Sequence, residues 1–180
     1  MMKKLITAND LSFELYISKE KIAERIEVLG EQINSKYKGK KPVFIGVLNG
    51  SFIFIADLVR RCNIDCEIAF VRLSSYAGTQ STGKIQTVYG LEMDIENRHL
   101  IVVEDIVDTG ATINYFLSYL EKQNPASVEL AVFLLKPEAL KFPIKIDYLG
   151  FEIPDKFVVG YGLDYNGLCR NLPDIYQLSE

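Results

Sequence analysis

The chain carries one histidine, His99, and three cysteines, Cys62, Cys66 and Cys169, in 180 residues. A single histidine excludes catalysis built on several imidazoles, so acid–base work falls to carboxylates, lysine or tyrosine. An odd cysteine count argues against a disulfide framework. Cys62 and Cys66 have the spacing of half a metal site, but the sequence holds no second half, so they read as packing residues. No apolar run approaches the roughly 18 residues of a membrane span. Met1-Met2-Lys3-Lys4 leads into no apolar stretch long enough for a signal peptide. The expected location is therefore cytoplasmic, with no membrane partner. Basic excess is missing too. The net charge is −4, which argues against a nucleic-acid backbone as partner. Repeats, low-complexity tracts and Pro/Gly/Ser linkers are absent, so one domain over 1–180 is expected.

Hydrophobic content of 48% and charged content of 24% suit a globular domain with a real core. Ser18 has the character of an N-cap, and Ile22, Ile26, Leu29 and Ile33 follow at helical spacing. Short apolar runs at 43–47, 66–73, 100–103, 128–135, 147–151 and 157–161 predict strands. Helices are predicted over 51–61 and 109–123, the second stopped by Asn124-Pro125. Residues 85–89 are expected to pair beyond the second strand, across a Ser/Thr/Gly/Gln-rich loop. Strands alternating with helices predict an α/β fold with a mainly parallel central sheet flanked by helices. Ligands of such sheets sit at the carboxyl ends of the strands. Three turns fall there, at 48–51, 104–112 and 136–138, and are expected to share one site.

The middle turn belongs to Ile101-Val102-Val103-Glu104-Asp105-Ile106-Val107-Asp108-Thr109-Gly110-Ala111-Thr112. An apolar run meets two carboxylates, then a third, then a small hydroxyl-rich turn opening a helix. The helix start offers unpaired N–H groups and partial positive charge. Gly110 permits close backbone approach, and the hydroxyls of Thr109 and Thr112 can donate to a phosphate. The P-loop pattern is absent. Acids beside a phosphate cradle repel the ligand unless sugar hydroxyls or Mg²⁺ intervene. A sugar phosphate satisfies both halves of the turn.

This segment resembles the signature of the type I phosphoribosyltransferases, matched at every position. Two other stretches, 73–83 and 150–166, are similar to the hypoxanthine-guanine branch of that family, and the likeness runs from about residue 10 to the C-terminus. The resemblance implies the type I phosphoribosyltransferase fold with a small hood over the active site, formed by the N-terminal segment and roughly 150–180. It also implies a flexible loop at about 74–86 that closes during reaction. The implied reaction is purine salvage: transfer of the 5-phosphoribosyl group from phosphoribosyl pyrophosphate to N9 of hypoxanthine or guanine.

Residue roles follow from the same resemblance. Asp108 corresponds to the catalytic acid that holds a proton at purine N7. Glu104 and Asp105 correspond to ribose-binding acids. Thr109, Gly110, Ala111 and Thr112 complete the 5′-phosphate loop with Asp108. Lys136 corresponds to the donor to the purine 6-oxygen, and an ammonium, which only donates, should reject a 6-amino group. Phe157 matches the aromatic that stacks on the base, with the Val158 backbone near its 2-position. Asp164 matches an acid tied to metal and base, and Arg170 a pyrophosphate contact. Leu48, Asn49 and Gly50 occupy the pyrophosphate turn, and Ser75 and Tyr76 the flexible loop. Mg²⁺ is the implied cofactor, with Glu104, Asp105 and Asp164 as candidate metal-linked carboxylates. Relatives are dimers or tetramers, so a homodimer or homotetramer is expected. Departures from the family pattern are Asn49, where a basic residue is common, Ser74 in place of a basic residue, and Ala111 at a variable position. Competing readings are a nucleic-acid-binding regulator that kept the site, disfavoured by the negative charge, and a transferase for another base. Xanthine use stays open.

Overall fold

The computed structural model describes residues 5–75 and 85–179. Two βαβ units form the centre. In the first, β3 (Val43–Leu48) leads through α2 (Phe52–Val59) to β4 (Glu67–Ser75). In the second, β6 (His99–Val107) leads through α3 (Ala111–Glu121) to β7 (Ser127–Leu135). β8 (Tyr148–Glu152) adds in parallel beyond β7, and β5 (Ile85–Tyr89) adds antiparallel beyond β4. The strand order is β5-β4-β3-β6-β7-β8, with every pairing from β4 to β8 parallel.

β3 and β6 are neighbours, yet their following units leave in opposite directions. Such a switch point opens a crevice beyond the carboxyl ends of the two strands. The turns after Leu48 and around Glu104 lie at that crevice, which is why this fold gathers them.

Alternating side chains divide the core. Phe44, Ile101, Val103 and Phe133 pack toward α1 (Lys19–Lys36) and α2. Val43, Ile45, Leu100, Val102 and Val132 pack toward α3 with Ile113, Phe116 and Leu120. The Ile22, Ile26, Leu29, Ile33 stripe is buried as its spacing predicts. Ser18 occupies the N-cap without a side-chain capping bond to a helix amide. The Lys19 amide instead donates to Asp174 Oδ1 at 2.8 Å.

A second, antiparallel sheet joins the two ends of the described chain in the order β1-β2-β10-β9. Its strands are β1 (Leu5–Ala8), β2 (Leu11–Ile17), β9 (Val158–Val159) and β10 (Ile175–Leu178). Phe13, Val159 and Tyr176 form its small core.

Several boundaries differ from expectation. The strand predicted over 100–103 runs on to Val107, so Glu104 and Asp105 belong to β6, with Glu104 in register with Val132 of β7. The strand predicted over 157–161 shrinks to two residues. Gly160 (φ 101°), Tyr161 (φ 48°) and Gly162 (φ 103°) turn the backbone out of the extended region. α2 and α3 are each shorter than predicted. Of the loop expected at about 74–86, residues 76–84 lie outside the described residues, while Ser74 and Ser75 end β4. Among the described residues, no helix is long and apolar enough to cross a membrane.

Candidate active site

The acids of β6 meet at the crevice. Glu104 places its Oε2 in the interior, where it finds no hydrogen-bond partner among the described residues. Burial, and then the neighbouring Asp105 charge, hold its pKa well above the ordinary carboxylate value. Asp105 is pushed up to about 6, chiefly by burial, with Asp164 adding to the rise. Backbone N–H groups of Ile106 and Asp105 itself, and the Arg170 charge, work the other way. Asp105 lies against the 48–51 turn so closely that a Cβ on Gly50 would sit 1.6 Å from its Oδ2. Glycine is thus required at 50 for the turn and the acid to coexist. The Leu48–Asn49 peptide of this turn is cis.

Beyond the acids, β6 passes into the start of α3 around a cavity of about 140 Å³. Glu104, Asp108, Thr109, Gly110 and Thr112 are among its lining residues. Gly110 is the N-cap and adopts φ 81°, and a Cβ there would meet Ile144 Cδ1 at 2.5 Å. The α3 start thus borders the cavity, with its first amide, Ala111 N, donating to Thr109 Oγ1 at 3.4 Å. The Thr109 carbonyl accepts from Lys141 N at 3.0 Å, which fixes the loop from outside.

Lys136 follows β7. Its amide donates to Val107 O at 3.0 Å, tying the β7 end to the β6 end. The side chain is buried, and Nζ stands 3.0 Å from Asp155 Oδ1 and 3.7 Å from Asp108 Oδ2. Asp108 itself is half exposed, open to a ligand.

The residues beyond Asp155 close the other side. Phe157 is 43% exposed, with its ring edge-on to Tyr165 and tilted to Phe13. That exposure separates it from a core phenylalanine. Val158 pairs with Gln177 of β10. Arg170 donates to Gly162 O at 2.7 Å and binds Asp164 Oδ1 at 2.6 Å, while Asp164 Oδ2 accepts from Gly167 N at 2.7 Å. Gly162 abuts the 48–51 turn, since a Cβ on it would lie 2.0 Å from Gly50 O. The turn, Asp105 and the Arg170 segment thus form one wall.

The fold brings Leu48, Asn49, Gly50, Glu104, Asp105, Asp108, Thr109, Gly110, Ala111, Thr112 and Lys136 to the carboxyl edge of the sheet, with Asp164 and Arg170 against the turn. Ser75 reaches the end of β4, and Tyr76 lies outside the described residues. Among the described residues, no group of three or more His, Cys, Asp or Glu side chains is gathered to hold a metal. Glu104 and Asp105 fit a cation, since one has an unpartnered oxygen and both carry raised pKa values. Asp164 has both oxygens engaged.

Sequence reasoning missed Asp155 and Gly162. Asp155 stands within the 150–166 stretch, but nothing local shows that it reaches back to Lys136. Gly162 gave a usable signal: a glycine flanked by apolar residues often marks close backbone approach.

A strand-end site with a sugar-sized hollow, an anion-receptive helix start and paired acids belongs to a class of transferases acting on sugar phosphates. The Phosphoribosyl transferase domain matches residues 15–166. The hypoxanthine phosphoribosyltransferase of Buchnera aphidicola subsp. Schizaphis graminum is 44% identical over 167 residues, covering 91% of this chain and 94% of that protein. The hypoxanthine-guanine phosphoribosyltransferase of Aquifex aeolicus is 41% identical over 169 residues, covering 93% and 95%. The crystal structure of a hypoxanthine phosphoribosyltransferase from Staphylococcus aureus superposes with a TM-score of 0.86 at 40% identity, covering 95% of this chain and 93% of that one. The chain belongs to the phosphoribosyl transferase family, in its hypoxanthine-guanine phosphoribosyltransferase branch.

Proposed function

We infer that the chain transfers the 5-phosphoribosyl group of phosphoribosyl pyrophosphate to N9 of hypoxanthine or guanine, giving IMP or GMP and pyrophosphate. The observation that carries this is the pairing at the crevice of the β6–α3 turn with Lys136, whose ammonium stands 3.7 Å from Asp108.

In the reaction the C1′–O bond to pyrophosphate breaks and the C1′–N9 bond forms. The α3 start and the hydroxyls of Thr109 and Thr112 hold the 5′-phosphate, and Ala111 presents a backbone amide. Glu104 and Asp105 accept from the ribose hydroxyls. Asp108 takes the proton from N7 as N9 bonds to C1′, so no charge is left on the base. Lys136 donates to the 6-oxygen and offers nothing to a 6-amino group. Phe157 covers the base, and the Val158 backbone lies at its 2-position. The 48–51 turn and Arg170 receive pyrophosphate, with backbone N–H groups acting where Asn49 brings no charge.

Glu104 and Asp105 are the residues that would hold Mg²⁺, which would supply charge neutralisation for the departing pyrophosphate. Asp164, engaged by Arg170 and the Gly167 amide, would hold the ion only if released from Arg170. The small sheet serves as the hood of a single domain. The protein works in the cytoplasm as a homodimer or homotetramer. Ile68 and Phe70, exposed by 49% and 42%, share an apolar hollow with Ile55, Ala56 and Val59 that would suit a second copy.

The test is pyrophosphate release with hypoxanthine, guanine, xanthine and adenine, each with and without Mg²⁺. Release with hypoxanthine and guanine that needs Mg²⁺, and none with adenine, is expected. Failure to form nucleotide from either 6-oxopurine would refute the reading.

A further inference from the structure

We propose that Asp155 is a positioning residue of this reaction, holding the Lys136 ammonium off Asp108 so that Asp108 stays free to take the purine proton. The inference rests on the function proposed above.

Lys136 is 8% exposed, and an ammonium that deep needs a partner. Two carboxylates face it. Asp155 Oδ1 at 3.0 Å is within hydrogen-bond range, and Asp108 Oδ2 at 3.7 Å is outside it. That difference decides which acid the lysine occupies. An ammonium has three N–H groups. One is committed to Asp155, and the others remain for the base oxygen. Asp108 keeps both of its oxygens available.

Asp155 is itself held in place. Ile153 N donates to Leu135 O at 2.8 Å, so the segment is anchored to the residue just before Lys136. Two residues on, Phe157 presents its half-exposed ring, and Asp155 and Phe157 line one cavity. One carboxylate therefore links the lysine that reads the 6-oxygen to the segment that carries the stacking ring. With Asp155 removed, the carboxylate nearest the ammonium becomes Asp108. The closer pair that results would occupy the oxygen needed for the N7 proton.

The experiment compares Asp155→Ala, Asp155→Glu, Lys136→Ala and the Lys136→Ala/Asp155→Ala double variant. The Asp155 side chain is 56% exposed, so its truncation should leave thermal stability close to that of the wild type. For Asp155→Ala, kcat with hypoxanthine should fall about ten- to hundredfold, the weight of one hydrogen bond to a charged group. KM for phosphoribosyl pyrophosphate should stay within about twofold, and Asp155→Glu should restore most of the rate. In the Lys136→Ala background the further loss should shrink to less than about twofold, because there is no ammonium left to hold. Should Asp155→Ala lose stability, Asp155→Leu, of similar volume and with no acceptor, carries the same expectation. Wild-type kcat in the variants that lack the Asp155 acceptor would overturn the proposal, as would a loss of equal size with Lys136 already gone. A wild-type protein that makes neither IMP nor GMP would sink the proposed function itself. An active wild type with an unaffected Asp155→Ala would sink only the role of Asp155.

Discussion

Asp105→Asn should make the ligand-free protein more stable while weakening its grip on phosphoribosyl pyrophosphate. Asp105 is forced to about 6 from an ordinary value of 3.8, mainly because burial penalises its charge. The folded state therefore holds a proton that the unfolded chain has released, and stability falls as pH rises between those values. Below about 4 the carboxyl is neutral in both states and costs nothing; above about 6 the penalty is complete. At about 1.4 kcal/mol per pH unit the penalty reaches at most about 3 kcal/mol. Water still reaches part of the group, so half of that, about 1.5 kcal/mol, is the working figure. For a domain of this size it amounts to roughly 3–6 °C in Tm. An asparagine keeps a carbonyl for the backbone N–H groups and carries no charge. Calorimetric melting at pH 8 should show the gain, and at pH 4 the two proteins should coincide. Titration with phosphoribosyl pyrophosphate and Mg²⁺ at pH 8 should show weaker binding. A variant less stable than wild type at pH 8, or displaced equally at both pH values, would refute the claim that the buried charge is a cost borne for the ligand.

Three further outcomes are expected. Asp108→Asn should lower kcat about 10²–10³-fold with phosphoribosyl pyrophosphate affinity changed only a few-fold, as steady-state kinetics would show; unchanged turnover would mean that the base is elsewhere. Lys136→Ala should cut the preference for hypoxanthine over adenine about ten- to hundredfold, measured as the ratio of kcat/KM values, and an unaltered ratio would contradict its reading of the 6-oxygen. Gly162→Ala puts a Cβ 2.0 Å from Gly50 O at φ +103°, so it should cost about 2–4 kcal/mol in urea unfolding and raise KM for phosphoribosyl pyrophosphate through the displaced turn; wild-type values for both would show that the two backbones do not need to touch.

The central sheet was legible because its signals are local. β3, residues 100–103 of β6 and residues 130–135 of β7 are buried on both faces and read as apolar runs, and the α1 stripe keeps helical spacing throughout. The 104–112 turn was legible for the same reason: its acids and its helix start are contiguous. What stayed hidden depends on pairing across the chain. β1, β2 and β10 have no strong local pattern. In β2 only Phe13 and Ile17 are buried, and the register slips between Ile175 and Tyr176. β1 pairs with nearby β2, but β2 and β10 pair some 160 positions apart, as Tyr176 opposite Leu15 shows. The Asp174 bond to the α1 amide and the Asp155 pair with Lys136 were invisible for the same reason. β6 was cut short at Val103 because acids usually end a buried strand, whereas here the ladder continues past them to Leu135.

The order β1-β2-β10-β9 places β10 between β2 and β9. During synthesis, β2 emerges early and finds no neighbour on that side until residues 175–178 leave the ribosome. Val158 then pairs with Gln177, and the Phe157 carbonyl accepts from Leu178 N at 2.9 Å. The 104–112 turn belongs to β6 and α3, which are made before that support exists, so on the proposed function a nascent chain halted before Ile175 should bind a sugar phosphate and yet form no nucleotide.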